Sequence, residues 1–203
     1  MQDIVVPNNN EKEFISVAGK LGYTTLIFLY DFNGYLNKKE NFEFNTKVKI
    51  NFGILANTNN IYKINSKLKN NEVFTAIKSS RDNRGIIEKS KANLIFSLEE
   101  SFYKDFMHQR ASGLDHVMCK LAKENNIAIG FSINSIINSE NKYLILGRIM
   151  QNIKLCRKYK VKTTIASFAQ NPFEMRSPKD LISLFVKLGM HPKTIKDSLA
   201  TFL

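Results

Sequence analysis

Two of the chain's three histidines stand with an arginine and an aspartate in one short run, HQRASGLDHVM (108–118). These residue types could build a phosphate-handling or metal-dependent site. His108 or His116 could move a proton, Asp115 could hold a cation or serve as a base, and Arg110 could fork onto a phosphate. The wider search for catalytic chemistry finds little to join them. There is no Gly-rich nucleotide loop, no GxSxG elbow and no HExxH helix. His108, His116 and His191 are too few and too scattered for a polynuclear hydrolase site. No HxH pair marks the end of the first strand, where DIVVP stands instead. A metal cluster would rest almost wholly on Asp3, Asp31, Asp105 and Asp115, and isolated carboxylates are more often surface groups or caps. Cys119 and Cys156 lack CxxC spacing and read as packing residues, which fits a reducing cytoplasm.

The same run also reads as a helix start. Ser112 is placed to cap a helix with Asp115 reaching back, and Leu114, Val117, Met118, Leu121 and Ala122 follow at helical spacing. The outward face then carries His116, Lys120 and Lys123. A second start is Arg176-Ser177-Pro178-Lys179-Asp180, with Ser177 as N-cap, Pro178 at the first helical position and Asp180 as the reciprocal acid. His191 before Pro192 marks another. Arg110 and Arg176 each precede a helix N-terminus, where free backbone N–H groups favour phosphate.

The elements that must position these residues alternate along the chain. Strands are expected at 3–6, 24–30, 47–55, 72–78, 92–96, 127–132 and 162–167, several of them nearly all apolar. Such runs mean strands buried on both faces of a parallel sheet. Helices are expected at 11–20, 113–125, 140–158 and 179–189, and 31–46 is the most loop-like segment. Helix 140–158 has a core stripe of Leu146, Ile149, Met150, Ile153 and Cys156, with Arg148, Lys154 and Lys158 on its other side. With no linker or repeat dividing them, residues 1–203 read as a single α/β domain, either a barrel or an open doubly wound sheet. In a barrel, both arginines would follow strands on the C-terminal face, where such folds bind ligands.

The charge narrows the partner class. Thirty Lys+Arg against 18 Asp+Glu give a formal +12, a balance that favours a polyanion such as nucleic acid. Scattered lysines in a chain rich in Asn, Ile and Lys also serve solubility alone. Apolar runs such as TLIFLY are far shorter than the roughly 18 residues of a bilayer span, and the N-terminal residues do not read as a secretory leader. A cytoplasmic location without membrane contact is expected.

Three stretches carry a resemblance. GLDHVMCKLAKENNIAIGFSI (113–133), GRIMQNIKLCRKYKV (147–161) and SFAQNPFEMRSPKDLISLFVKLGM (167–190) resemble, in order and spacing, the archaeal ribonuclease P protein component 3 family. They cover about the C-terminal half; DIVVP near the N-terminus agrees more weakly. The resemblance implies a seven-stranded TIM-like barrel, related to the polymerase-and-histidinol-phosphatase superfamily but without its metal ligands and wrapped by helices. It implies a subunit with no catalytic residues, in a particle whose RNA uses Mg²⁺ to remove the 5′ leader of precursor tRNA. The implied partners are that RNA and protein component 2, as a heterotetramer. The family's RNA-facing basic positions would fall on Arg110, Arg176, Lys123 and, more loosely, Lys196. Lys120, Arg148 and Lys158 would contribute more weakly. Two alternatives stay open: a metal-dependent phosphoesterase of the related barrels, relying on Asp3 or His116, and a generic basic RNA-binding module.

Overall fold

The structure, a computed structural model, describes residues 1–41, 46–58, 60–67 and 73–200. Seven strands run β1 (Gln2–Val5), β2 (Thr25–Tyr30), β3 (Lys49–Ala56), β4 (Phe74–Lys78), β5 (Leu94–Phe96), β6 (Ala128–Ser132) and β7 (Thr163–Ala166). Each pairs in parallel with the next in chain order. The expected seven strands are all present, and residue 72 of the expected fourth strand lies outside the described residues. Helices α1 (Glu11–Leu21), α2 (Phe32–Asn41), α3 (Ile61–Lys67), α4 (Asn83–Lys89), α5 (His116–Glu124), α6 (Ile133–Ile137), α7 (Lys142–Tyr159), α8 (Pro178–Lys187) and α9 (Pro192–Ser198) complete the order. Parallel neighbours need long crossovers, and the strand–helix alternation supplies them.

The sheet curls into a nearly closed barrel. Phe168 N–H donates to Ile4 O and Val6 N–H to Ala169 O, each at 2.8 Å. The carboxylate of Asp3 adds a third tie, accepting from Ser167 N at 2.6 Å and from Ile4 N at 2.8 Å. Closure therefore falls just beyond β7, where the polypeptide crosses the end of β1.

Alternation along the strands makes two layers. Ile4, Ile27, Leu29, Phe74, Ala76 and Leu94 form one buried cluster filling the barrel. Their neighbours Phe28, Ile54, Ile77, Ile95, Ile129 and Ile165 pack outward against helices. Burial on both faces is why the strands read as continuous apolar runs. Each fully buried side chain of this size stabilises the fold by about 1.5–3 kcal/mol. Phe131, wholly buried against Phe185 of α8, ties helix to barrel with ring centroids 5.7 Å apart.

Three local expectations change. Much of the segment expected as a loop at 31–46 is α2; residues 42–45 lie outside the described set. Asp31 accepts from Gly34 N at 3.0 Å and Tyr35 is buried, so a cap and one anchoring ring outweigh the Asn- and Gly-rich composition. Helix α5 begins at His116, and its cap is Asp115, which accepts from Met118 N at 2.8 Å. Ser112 cannot cap it, because Gly113 at φ +74° breaks helical geometry and a Cβ there would lie 2.1 Å from Leu98 O. The buried face of α7 is centred on Ile145, Ile149, Ile153 and Cys156, with Leu146 and Met150 only partly buried beside it. That rotation brings Arg148 and Asn152 inside.

Candidate nucleic-acid interface

The residues from β5 to α5 leave the C-terminal end of the barrel as a long connection, and one buried side chain organises it. Arg148 of α7, only 1% exposed, donates from Nε to Asp105 Oδ1 at 2.8 Å and from Nη1 to the carbonyls of Glu99 and Phe102, each at 2.7 Å. Asp105 also accepts from Ala111 N at 2.9 Å. Desolvation pushes the Asp105 carboxyl upward, but the bonds from Arg148 and Ala111 outweigh it and hold the group below its ordinary value. Asn152, one turn further along α7, donates to Glu99 Oε1 at 2.8 Å and Ser112 O at 2.9 Å. Burial raises Glu99 to about pKa 7 despite that bond.

Arg148 is therefore corrected from an RNA-contact residue to an internal anchor. Its position on the helix was read from the apolar stripe; inside, Nε and Nη1 are met by a carboxylate and two carbonyls, while Nη2 is buried without a hydrogen-bond partner among the described residues. Lys154 and Lys158, on the same helix, are exposed as expected.

Arg110 lies on the surface of this connection. Its Nη1 donates to Gly147 O at 2.6 Å, and its guanidinium lies so close to α7 that a Cβ on Gly147 would approach Arg110 Cζ to 3.0 Å. The glycine opening the GRIMQ stretch thus makes room for the arginine. Arg176 is also exposed; its Nη1 donates to the carbonyls of Phe173 and Met175, each at 2.8 Å. Tyr23 Oη fixes the Arg176 backbone by donating to its carbonyl at 2.8 Å. Ser177 caps α8 as expected, accepting from Asp180 N at 3.2 Å and donating to the Asp180 carboxylate at 2.8 Å.

The seven predicted basic positions do not form one surface. Arg110 and Arg176 follow β5 and β7, at the C-terminal end of the barrel. Lys120 is midway along α5, while Lys123 and Lys158 sit in the last turns of helices that return to the N-terminal end. Lys196 belongs to α9, which packs at that end: Gln2 N–H donates to Leu199 O at 3.0 Å, and Ser198 bonds the Thr163 hydroxyl. Sequence reasoning missed Arg81 and Arg84, which with Arg110, Phe102 and Phe106 line a groove of about 270 Å³. In the sequence the aromatics of SFYKDFM (101–107) stand out in a connecting segment, but nothing there joins them to RDNR (81–84), earlier in the chain.

The mouth of the barrel carries different chemistry. Phe96 and Phe168 stack face to face at 3.9 Å over the interior. Above them is a cavity of about 420 Å³ whose lining includes four Ser, two Asn and Glu174, with Lys78 and Glu100 paired at 3.0 Å. The four candidate carboxylates are held apart by separate tasks. Asp3 closes the barrel, Asp31 begins α2, Asp105 anchors the loop and Asp115 caps α5. Among the described residues, no three His, Cys, Asp or Glu side chains group as a metal would need. His116 is the exposed first residue of α5, and His191 caps α9 by accepting from Lys193 N at 3.3 Å. Cys119 and Cys156 are buried and free.

A parallel barrel whose connections anchor exposed arginines defines a basic α/β barrel. Its relatives specify it further: residues 103–202, just under half of the chain, match the model of the RNase P subunit p30 family. The chain is 35% identical over 89 residues to ribonuclease P protein component 3 of Thermococcus kodakarensis, covering 43% of this chain and 40% of that protein. It is 28% identical over 141 residues to the component 3 of Methanococcoides burtonii, covering 68% and 55%. The matched stretches thus span about half the length of these curated relatives.

Solved structures agree on the fold. A chain in the cryo-EM structure of archaeal ribonuclease P with mature tRNA aligns with TM-score 0.73 and 20% identity, over 98% of this chain and 86% of that one. Histidinol phosphate phosphatase from Lactococcus lactis, solved with zinc, L-histidinol and phosphate, aligns with TM-score 0.66 and 11% identity over 94% of both chains.

Proposed function

We propose that this chain is a non-catalytic protein subunit of ribonuclease P, binding the RNA that removes the 5′ leader from precursor tRNA. The observation that carries this reading is the family match over 103–202, the part of the chain holding both Arg110 and Arg176. In each arginine Nη1 is engaged with main-chain carbonyls, which orients the remaining guanidinium N–H groups as a fork for a phosphate. Contacts of this kind position RNA without reading its sequence. Lys120, Lys123, Lys158 and Lys196 add screened, longer-range attraction.

In this reading Mg²⁺ is held by the RNA, and the protein lowers the ion concentration that RNA folding needs. Protein component 2 is the partner, paired as a heterotetramer, in the cytoplasm. Among the described residues no helix is long and apolar enough to cross a membrane. The test is reconstitution: the chain, the RNA and the other protein subunits should cleave precursor tRNA at lower Mg²⁺ than the same mixture without the chain. An unchanged Mg²⁺ requirement would contradict it.

A second reading, a metal-dependent phosphoesterase, is favoured by the fold shared with histidinol phosphate phosphatase. It requires that the purified chain hydrolyse a phosphate ester with Mn²⁺ or Zn²⁺ and lose that activity in Asp3→Asn. The separate bonding of the four carboxylates weighs against it.

A further inference from the structure

The connection from β5 to α5 holds four large apolar side chains in solvent: Phe102 is 43%, Tyr103 85%, Phe106 55% and Met107 92% exposed. An unconstrained loop of this composition would fold such groups inward, and a cluster left outside marks a contact surface. Here the backbone is fixed instead. Arg148 binds Phe102 O and the Asp105 carboxylate, Asp105 binds Ala111 N, and Phe106 N–H donates to Gln109 O at 3.0 Å.

Phe102 and Phe106, with ring centroids 5.9 Å apart and planes inclined at 60°, line the groove shared with Arg81, Arg84 and Arg110. Its acidic groups, Asp82 and Asp115, each accept a backbone N–H of their own helix, from Gly85 at 3.0 Å and Met118 at 2.8 Å. An apolar protein surface covering the two rings would also desolvate three guanidinium groups, each needing an anion. Unstacked nucleotides bring a π face and a phosphate together, which is the combination aromatic rings interleaved with arginines accept.

We propose that this groove receives unstacked bases of an RNA strand, which stack on Phe102 and Phe106 while Arg81, Arg84 and Arg110 hold the flanking phosphates. The proposal deepens the RNA-subunit reading and rests on it. It assigns work to Phe102, Phe106, Arg81 and Arg84, on the same face as Arg110.

The experiment compares the full chain's affinity for a labelled oligouridylate and for an abasic ribose-phosphate oligomer of the same length. One stacked base should make the oligouridylate bind about tenfold more tightly. Phe102→Leu and Phe106→Leu, which keep apolar bulk, should abolish that preference and leave the melting curve and the abasic affinity unchanged. Equal affinities for the two oligomers, or Leu variants that retain the preference, would overturn the stacking assignment. Leu variants that bind RNA normally but lose protein component 2 would reassign the patch to a protein and equally overturn it. Failure of both oligomers to bind at low salt would contradict the RNA-binding reading itself.

Discussion

Arg148 and Asp105, paired at 2.8 Å, join the inside of α7 to a surface loop, and through that pair a buried side chain positions an exposed one. The loop so fixed carries Arg110, which returns to α7 at Gly147 O. Removing Arg148 leaves Asp105 and the Glu99 and Phe102 carbonyls without their donor. Arg148→Ala loses the bonds to two carbonyls and leaves a void in place of a buried side chain, so it should cost about 3 kcal/mol and lower Tm by roughly 6–12 °C for a chain of this size. Arg148→Lys should recover little, because an ammonium cannot reproduce the divergent guanidinium donors. A melting curve unchanged in Arg148→Ala would deny the anchor.

Gly147→Ala separates stability from binding. A Cβ at 147 approaches Arg110 Cζ to 3.0 Å and displaces the guanidinium, whereas alanine in a helix interior is favoured over glycine by about 1 kcal/mol. The variant should melt at or above the wild-type temperature yet bind RNA more weakly. Parallel melting and filter-binding assays check this, and RNA affinity equal to wild type would contradict the placement of Arg110.

Asp3 should make stability fall as pH rises. Burial lifts its folded pKa from 3.8 to about 6, against the bonds from Ser167 and Ile4 that lower it. The folded state thus holds the proton more tightly than the unfolded one. Its contribution is greatest below about pH 4, declines through pH 4 to 6, and is lower above that by roughly 3 kcal/mol. Asp3→Asn keeps an oxygen for Ser167 N and Ile4 N and should flatten this part of the profile. Asp3→Ala orphans two buried N–H groups at barrel closure and should destabilise by about 2–5 kcal/mol. Urea titrations at pH 4, 5, 6 and 7 test both variants.

Glu99 acts in the same direction at slightly higher pH. Its folded pKa of about 7, raised by burial, lies above the ordinary 4.5, so its contribution is lost as pH rises from about 4.5 through 7. Glu99→Gln retains an acceptor for Asn152 Nδ2 and should stabilise the protein at pH 8 relative to wild type, with little effect at pH 4. Urea titrations at pH 4 and pH 8 measure it, and a Gln variant less stable than wild type at pH 8 would contradict the assignment.

The strands were legible because a sheet buried on both faces leaves an apolar run that no exposed segment imitates. The caps at Asp115 and Ser177 left their acids and hydroxyls at fixed offsets, although Gly113 moved the first helix start by three residues. Arg148 was misread for a physical reason. Helical periodicity assigns a face from the apolar residues, and a guanidinium held by carbonyls of a distant loop leaves no trace in that period. The groove beside Arg110 was invisible for a related cause: Arg81 and Phe102 come from different βα connections, and only the barrel brings them together.

In the reconstituted particle, Arg110→Ala and Arg176→Ala should each reduce cleavage of precursor tRNA several-fold at low Mg²⁺ and less at high Mg²⁺, with melting temperatures near wild type. Screened phosphate contacts weaken in this way as cations replace them. Initial rates across a Mg²⁺ titration measure the effect, and rates equal to wild type throughout would remove both arginines from the interface.

The most direct measurement is 5′ leader release from precursor tRNA by three samples: the chain alone, the RNA with the other subunits, and the complete mixture. No cleavage by the chain alone with Mg²⁺, Mn²⁺ or Zn²⁺, together with a lowered Mg²⁺ requirement in the complete mixture, is the predicted result. Cleavage by the isolated chain that Asp3→Asn abolishes, or no difference between the other two samples, would contradict the account.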